Sequence, residues 1–572
     1  MRAGVKMPGQ KCEEAVKSRN DNQEDMRQLD TSGLIFPQMI DEGMLYIDKT
    51  LLVDDLLRTN PRGVYLYTRP RRFGKSNNLT MLQEFFDIKS RGTHRFDGLE
   101  ISKPEYSKYD VHRNSYNVVR IDFKECEADD YEAFLRITRI VIATEVSRLI
   151  ENADMSVLSS VDAAILKQVI DMTADPETLQ ISIRTLCRVL YKTNNLRTVI
   201  LIDEYDTPIS HETDGETQKR ILDFLSRFLS ASLKGNEYLQ LGFVTGILQI
   251  AKESMFSKLN NVVMNNIFST TSDERYGFTE SEVRSILEDQ ECLDRFDTVR
   301  LWYDGYRFGD ADIYNPKSIA FFSKNGGKVG YYWTGDNSGA AVRTLFKGLS
   351  AESFDTVGAI VKGETIEHEL DAGINLDQLE RGSLTTVLTV LAMSGYLKAI
   401  PTETPKVYRL SMPNLEVRDS VQEKLEDSAF LPTNLISKMR NALLSNDTKI
   451  LCENLEEILS SESYFDLRDE RDYQQILLTV LTLIRGDCTV VSQRESGAGR
   501  SDILMTSDNR PSIIFELKRS RREEDLEKDA EAALKQIHDR KYYAGLKGDV
   551  ILYGISFWYK FPCVKSEIVK LD

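Results

Sequence analysis

The sequence has no apolar run approaching the eighteen or more residues of a membrane-spanning helix, so no membrane partner is expected. Histidine is scarce: the five residues are scattered and form no metal-ligand spacing. The seven cysteines (12, 126, 187, 292, 452, 488 and 563) contain no C-x-x-C pair. That argues against a zinc site and a disulfide framework and fits a reducing compartment. Positive charge is in deficit, with 73 Lys and Arg against 90 Asp and Glu and a net charge of −17. Nucleic-acid phosphates require gathered Lys and Arg, so tight non-specific DNA binding is disfavoured, while a confined groove stays open. Residues 1–30 lack the apolar core of a signal peptide, are polar and are expected to be disordered. The expected location is intracellular: cytoplasmic, or nuclear in a eukaryote.

What is present is globular. A hydrophobic content of 41% and a charged content of 28% are ordinary for a soluble fold. At 572 residues the chain exceeds one core, and three or four domains are expected.

The chain is organised around Thr68-Arg69-Pro70-Arg71-Arg72-Phe73-Gly74-Lys75-Ser76. It follows the apolar run Val64 to Tyr67 and precedes a helix-like run, Leu79 to Phe86. Strand, Gly-Lys-Ser, then helix is the context of a phosphate-binding loop. N–H groups at the helix start would face a phosphate, and the helix dipole would favour its charge. Lys75 would reach the terminal phosphates of ATP, and Ser76 would hold Mg²⁺. The G-x-x-x-x-G-K-[ST] pattern is incomplete, because Arg69 stands at its first glycine. An ordinary strand-to-helix turn is the other reading of this stretch.

A second stretch, Thr198 to Ile202 followed by Asp203-Glu204, reads as a buried central strand ending in two acids. Ligands of parallel sheets bind at the carboxyl ends of the strands. Asp203 would therefore lie beside Ser76 and hold Mg²⁺ through water, and Glu204 would polarise an attacking water. Taken alone, a strand with surface acids at its end is equally open.

With Tyr46-Ile47-Asp48-Lys49-Thr50 upstream and Ile202-Asp203-Glu204-Tyr205-Asp206 downstream, the run Arg69 to Ser76 resembles the AAA-ATPase-like family. Further matching runs are Thr245-Gly246 through Phe256-Ser257, Trp302-Tyr303-Asp304-Gly305-Tyr306 and Tyr314-Asn315-Pro316. The resemblance covers roughly residues 30 to 572. It implies that an Arg at the first glycine position is usual, and that a nuclease-like domain of the PD-(D/E)XK superfamily commonly stands at the C-terminus. It also implies that Thr245, ending the strand Leu239 to Thr245, senses the γ-phosphate; a Thr capping the next turn is the alternative. Lys252, Arg220, Arg227 and Arg275 are candidates for a charge-neutralising finger. Arg69, Arg71 and Arg72 are set between nucleotide phosphates, a neighbouring subunit or nucleic acid on one side and offsetting nearby acids on the other.

Strands at Val64, Val118 to Phe123, Thr198 and Leu239 alternate with helices at Phe134 to Ile150, Leu179 to Tyr191 and Glu216 to Leu233, which predicts a parallel α/β sheet. From 275 to 444 the chain reads as mainly helical. A helix, Ser383 to Leu397, before the strand Val407 to Ser411 would suit a winged-helix-like unit. The aromatic runs Trp302 to Phe308 and Tyr331 to Trp333 could stack bases, although core is the commoner role. From 445 the expected order is αβββαβ: helix Tyr473 to Leu483, strands Cys488 to Gln493, Ser501 to Met505 and Ser512 to Lys518, helix Glu523 to Tyr543, strand Val550 to Phe557. That is the order of the restriction-endonuclease-like PD-(D/E)XK core.

Alternation turns Glu516 and Lys518 to one face, with Asp502 across the hairpin. Two carboxylates and a Lys there can hold a hard divalent cation, Mg²⁺ or Mn²⁺, and orient a water. Glu470 resembles the superfamily's helical acid and Gln536 its helical Gln; Tyr542 would line the same cleft. Gln474 departs from the resemblance, which often has His after the helical Tyr473.

The expected division is a disordered 1–30, an ATPase-like P-loop domain at 31–274, a helical or winged-helix-like middle at 275–444 and a nuclease-like domain at 445–572. The expected site residues are Arg69, Arg72, Gly74, Lys75, Ser76, Asp203 and Thr245 for ATP and Glu204 for its hydrolysis. Glu516, Lys518 and Gln536 are expected for cleavage, and Ser76, Asp203, Glu470, Asp502 and Glu516 for metal. The leading expectation is ATP-dependent or ATP-gated cleavage of DNA, with RNA and an oligomer both open. The other is an ATP-driven switch whose nuclease fold recognises a nucleic-acid or protein partner without cleaving.

Overall fold

A computed structural model of the chain describes residues 28–151, 158–210, 215–250, 262–334, 351–373, 383–428, 433–460, 469–484, 488–492, 495–496, 499–507 and 510–571. The expected disorder at the N-terminus and the candidate Lys252 therefore lie, from 1 to 27 and at 252, outside the described residues. Two compact units form: Met1–Leu345 with Ala359–Val421, and Phe346–Gly358 with Gln422–Asp572.

In the first unit the helices Phe36–Asp41 and Leu52–Thr59 lead to β1 (Val64–Thr68) and α1 (Lys75–Phe86). β2 (Asn117–Asp122), α2 (Tyr131–Ile150), α3 (Pro176–Asn194), β3 (Thr198–Asp203), α4 (Gly215–Leu233), β4 (Leu239–Gly246) and β5 (Val262–Asn265) follow. The strands form one parallel sheet in the order β2-β3-β4-β1-β5. Local chemistry sets the helix starts. Asp130 accepts the Ala133 N–H at 2.8 Å before α2, and Asp175 accepts that of Thr178 at 2.7 Å before α3, where Pro176 takes the first helical position. Leu179, Ile183, Leu186 and Leu190, spaced to share a face of α3, join Phe224 and Phe228 of α4 and Ile200 and Ile202 of β3 in one core. Every residue of β3 and β4 is buried, as expected of strands covered on both faces. β4 lies between β1 and β3, so Thr68, Asp203 and Thr245 emerge at one edge. β5 is an edge strand that sequence reading did not find.

The chain continues through α5 (Glu280–Asp289), α6 (Phe296–Tyr303), the hairpin of β6 (Tyr306–Phe308) and β7 (Ala311–Ile313), and α7 (Pro316–Lys324). β8 (Ile366–Glu369), α8 (Leu384–Met393), β9 (Lys398–Pro401), β10 (Val407–Ser411) and α9 (Leu415–Ser428) come next. α8 is followed by the antiparallel β9–β10 hairpin, which β8 extends to three strands; the helix and the strand Val407 to Ser411 stand in the order read from the sequence. Base stacking by the aromatic runs does not survive for Tyr303, Tyr306, Phe308 and Trp333: all are buried in the core. Gly305, between them, has φ +95°, and a Cβ there would lie 2.0 Å from the Pro413 carbonyl oxygen, so no other residue fits.

The second unit contains α10 (Thr448–Ser460), α11 (Glu470–Ile484), β11 (Thr489–Ser492), the short pair β12 (Glu495–Ser496) and β13 (Gly499–Arg500), β14 (Ile503–Ser507) and β15 (Arg510–Arg519). α12 (Leu526–Arg540), β16 (Gly548–Trp558) and β17 (Phe561–Leu571) complete it. The sheet order is β11-β14-β15-β16-β17, antiparallel except for β15–β16, which α12 connects. Phe515 and Leu517 face the core with Tyr473 and Leu477 of α11, while Ile514 packs with Ile537 of α12. The same alternation turns Glu516 and Lys518 toward α12. β17 and the β12–β13 pair are additions to the αβββαβ order. Among the described residues no helix is long and apolar enough to cross a membrane.

Candidate functional site

The loop from β1 into α1 contains two left-handed residues, Arg72 (φ 68°) and Gly74 (φ 86°). Such turns fold backbone N–H groups into an anion-binding concavity. No acidic residue occupies the first turn of α1, which leaves its positive end for an anion. Lys75 is buried and donates from Nζ to the carbonyl oxygens of Arg69 and Pro70, each at 3.1 Å. Its Nζ stands 3.6 Å from Glu204 Oε1.

Asp203, at the end of β3, is buried and shares hydrogen bonds with the Ser76 hydroxyl and with Thr245 Oγ1, the latter at 3.1 Å. Burial lifts its carboxyl above the usual range although the Ser76 bond opposes this. A buried carboxylate joined to a hydroxyl suits a magnesium ion. Glu204 sits in the left-handed region at φ 51°, strain of the kind kept at functional sites. Burial works against its ionised form, but Lys75 and Arg71 outweigh it and hold the carboxyl below its ordinary value. A cavity of about 770 Å³ is lined by Arg71, Lys75, Ser76, Glu204 and Thr207, and elsewhere by Leu34, Ile35, Phe278 and Phe321.

The loop arginines part company. Arg69, expected at the nucleotide, is fully buried. Its guanidinium donates to Asn265 Oδ1 at 2.6 Å and lies 5.0 Å from the Tyr276 ring centre and 5.3 Å from that of Phe308. The expectation is corrected: this side chain anchors the loop from beneath and faces no phosphate. Position 69 does not need a positive φ, which is why an Arg can replace the glycine. Arg72 lines the cavity, but its Nη1 donates to the Trp333 carbonyl at 2.9 Å. Of the finger candidates, Arg220 pairs with Glu132, Arg227 with Asp223 and Arg275 with Asp55; Arg275 alone of these three lines the cavity.

Several residues that sequence reading named without a role here fix this edge. Asp206 accepts the N–H groups of Ile247 and Leu248 at 3.0 and 2.7 Å, tying the end of β3 to that of β4. Burial and the Glu204 charge push its carboxyl up to about 6. Tyr205 donates from its hydroxyl to the Leu248 carbonyl. Trp333 donates from Nε1 to the Arg71 carbonyl at 3.1 Å, and its own N–H reaches Glu416 Oε1 at 2.5 Å. The second acid after Asp203 was a readable signal; the link from residue 333 to 71 was not, because only the fold brings them together.

In the second unit Asp502 precedes β14, whose Ile503 pairs with Phe515 of β15. Asp502 Oδ2 accepts the Leu517 N–H at 2.8 Å. Lys518 Nζ donates to Gln536 Oε1 at 3.0 Å, and Gln536 Nε2 in turn donates to Glu516 Oε1. The Tyr542 hydroxyl lies 3.4 Å from the same Nε2. Glu516 Oε2 is buried without a hydrogen-bond partner. Burial, then the charge of Asp502, pushes Glu516 up to about 8, and burial raises Asp502 as well. A buried Glu516 with an orphaned oxygen and a half-buried Asp502, both resisting loss of their protons, are what a divalent cation would satisfy. Glu470 is exposed and accepts the Arg519 N–H at 3.3 Å, and its charge helps to raise the Asp502 carboxyl. Among the described residues no group of three or more His, Cys, Asp or Glu is gathered to hold a metal; Asp502 and Glu516 are the acids that the sheet brings together. Gln474, the departure from the resemblance, donates to the Asp502 carbonyl at 2.9 Å.

Residues 34–256 match the family described as "Predicted AAA-ATPase". Residues 468–565 match the PD-(D/E)XK nuclease superfamily. A curated relative, the "Uncharacterized protein in vnfD 5'region" of Azotobacter chroococcum mcd 1, is 27% identical over 394 residues. The match spans 66% of this chain and 66% of the relative, just under two thirds of each. The chain thus carries an AAA-ATPase-like domain followed, at its C-terminus, by a domain of the PD-(D/E)XK nuclease superfamily.

Proposed function

We propose that this protein hydrolyses ATP at the loop Gly74-Lys75-Ser76 and cleaves DNA at Asp502, Glu516 and Lys518, with the first reaction gating the second. The working modules are 31–274, 275–444 and 445–572, after a leading segment, 1–30. The single observation that carries the nuclease reading is the chain Lys518–Gln536–Glu516 ending on an orphaned buried oxygen.

At the first site Lys75 leaves the Arg69 and Pro70 carbonyls for the β- and γ-phosphates of ATP. Ser76 and Asp203 would hold Mg²⁺, which when bound neutralises phosphate charge. Glu204, kept ionised, orients a water toward the γ-phosphorus and accepts its proton. Thr245, bonded to Asp203, reads whether the γ-phosphate is present. At the second site Asp502 and Glu516 would hold Mg²⁺ or Mn²⁺, whose part when bound is to polarise the phosphodiester. Magnesium retains several waters and is commonly held by one or two carboxylates, so the pair suffices. Lys518, aimed by Gln536, orients the attacking water and offsets the charge developing on phosphorus. A nuclease fold kept only for recognition would have no need of that relay.

The test is metal titration and cleavage of labelled DNA by the full chain and by Asp502→Ala, Glu516→Ala and Lys518→Ala. The two carboxylate variants are expected to lose metal binding and cleavage together. Lys518→Ala is expected to bind metal and cleave slowly. Cleavage that persists in both carboxylate variants would place the activity elsewhere.

A further inference from the structure

Arg69, Arg71 and Arg72 enter the phosphate loop together and end in three different places. Arg69 is closed into an aromatic box with Asn265. Arg72 is held by the Trp333 carbonyl. Arg71 lines the nucleotide cavity beside Lys75 and Glu204. Its backbone is pinned from the other side, since its carbonyl accepts Trp333 Nε1 at 3.1 Å and Trp333 is in turn held by the buried Glu416. The preceding Pro70 is pressed by Gly395, where an added Cβ would stand 3.0 Å from the Pro70 ring. No hydrogen bond or ion pair to the Arg71 guanidinium occurs among the described residues, although its charge, with that of Lys75, holds the Glu204 carboxyl down. Of the other cations at the cavity, Lys49 lies 2.6 Å from Glu282 and Arg275 lies 2.9 Å from Asp55.

We propose that Arg71 is the protein's own arginine finger, a catalytic residue supplied within the phosphate loop and aimed at the γ-phosphate by Trp333. This rests on the ATPase reading above. In the reaction the water oxygen bonds to the γ-phosphorus as the bond from that phosphorus to the bridging oxygen breaks. The electron pair stays on the terminal oxygen of ADP, and the water proton passes through Glu204 to the released phosphate. Charge moves onto the γ- and bridging oxygens during this step, and a guanidinium beside Glu204 is placed to neutralise it. Because the finger comes from the loop itself, hydrolysis does not require an arginine from a second subunit. Without ATP the same guanidinium balances Glu204.

The test is steady-state hydrolysis with Mg²⁺ over a series of protein concentrations, with ATP and ADP affinities measured on the same samples, for wild type, Arg71→Ala, Arg71→Lys and Trp333→Phe. Arg71→Ala is expected to lower turnover at saturating ATP by about 10³-fold or more while ADP affinity stays within about threefold. Arg71→Lys should recover part of the loss because it restores charge without the guanidinium fork. Trp333→Phe keeps a ring but removes the Nε1 donor, and should lower turnover without changing ADP affinity. Wild-type turnover per chain should be independent of protein concentration. The inference is overturned if Arg71→Ala hydrolyses ATP within about threefold of wild type, or if the loss appears instead in Lys124→Ala, the exposed lysine that also lines the cavity. A wild type that neither binds nor hydrolyses ATP would overturn the ATPase reading itself, and this inference with it.

Discussion

In the proposed ATPase, Lys75 serves binding and Glu204 serves chemistry. On the proposed reading Lys75 would exchange its two carbonyl hydrogen bonds for phosphate bonds, so its charge would be felt in the ground state. Lys75→Ala is expected to weaken ATP binding about 10- to 100-fold, as loss of a charged hydrogen bond implies, and calorimetry measures it. Glu204→Gln should bind ATP normally and lose about 10²- to 10⁴-fold in turnover. Glu516 predicts a pH dependence. Its folded value, about 8, lies above the ordinary carboxyl value, so the fold favours its neutral form. In metal-free protein the stability it contributes is present below about 4.5 and is lost as pH rises through about 8. Metal binding requires the ionised form, so affinity for Mg²⁺ in nucleotide-free protein should rise between about pH 6 and pH 8.5 with release of a proton. In Glu516→Gln that rise should vanish. Titration in buffers of different ionisation enthalpy reads both the affinity and the proton.

Strand and helix order carried much of the site because period and position suffice for it. Thr198 to Asp203 appears as β3 with the bounds its unbroken apolar run implies, and Val407 to Ser411 as β10. Alternation along β15 placed Glu516 and Lys518 on one side before any contact was known. β5 was missed because four residues at a sheet edge leave too short a pattern. β17 was missed because Pro562 and the mixed run Lys565-Ser566-Glu567 blur its alternation. The fate of Arg69 was not legible, since its box is built from Asn265, Tyr276 and Phe308, about two hundred residues away in the chain. Gly554 shows how packing on an element reaches the site. A Cβ there would lie 2.4 Å from the Ala530 carbonyl oxygen and 2.5 Å from the Leu534 nitrogen, so β16 and α12 meet at a point only glycine permits. Gly554→Ala must push α12, and Gln536 with it, away from Glu516. It should cost about 1–3 kcal/mol, read by urea unfolding, and slow cleavage while leaving ATP turnover unchanged.

Across the whole chain, the two proposed chemistries lie in separate compact units. The net charge of −17 opposes DNA at long range, and metal at Asp502 and Glu516 would remove part of that opposition locally. DNA binding should therefore be tighter with Ca²⁺ than with EDTA, and the difference should be absent in Asp502→Ala. The most direct measurement of gating is cleavage of one labelled DNA with Mg²⁺, with and without ATP, by wild type, Lys75→Ala and Glu516→Ala, with ATP turnover recorded in the same tubes. Wild type is expected to cleave when ATP is present, Lys75→Ala to do neither reaction, and Glu516→Ala to hydrolyse ATP without cutting. Cutting by Glu516→Ala, or wild-type cleavage indifferent to both ATP and Lys75→Ala, would contradict it.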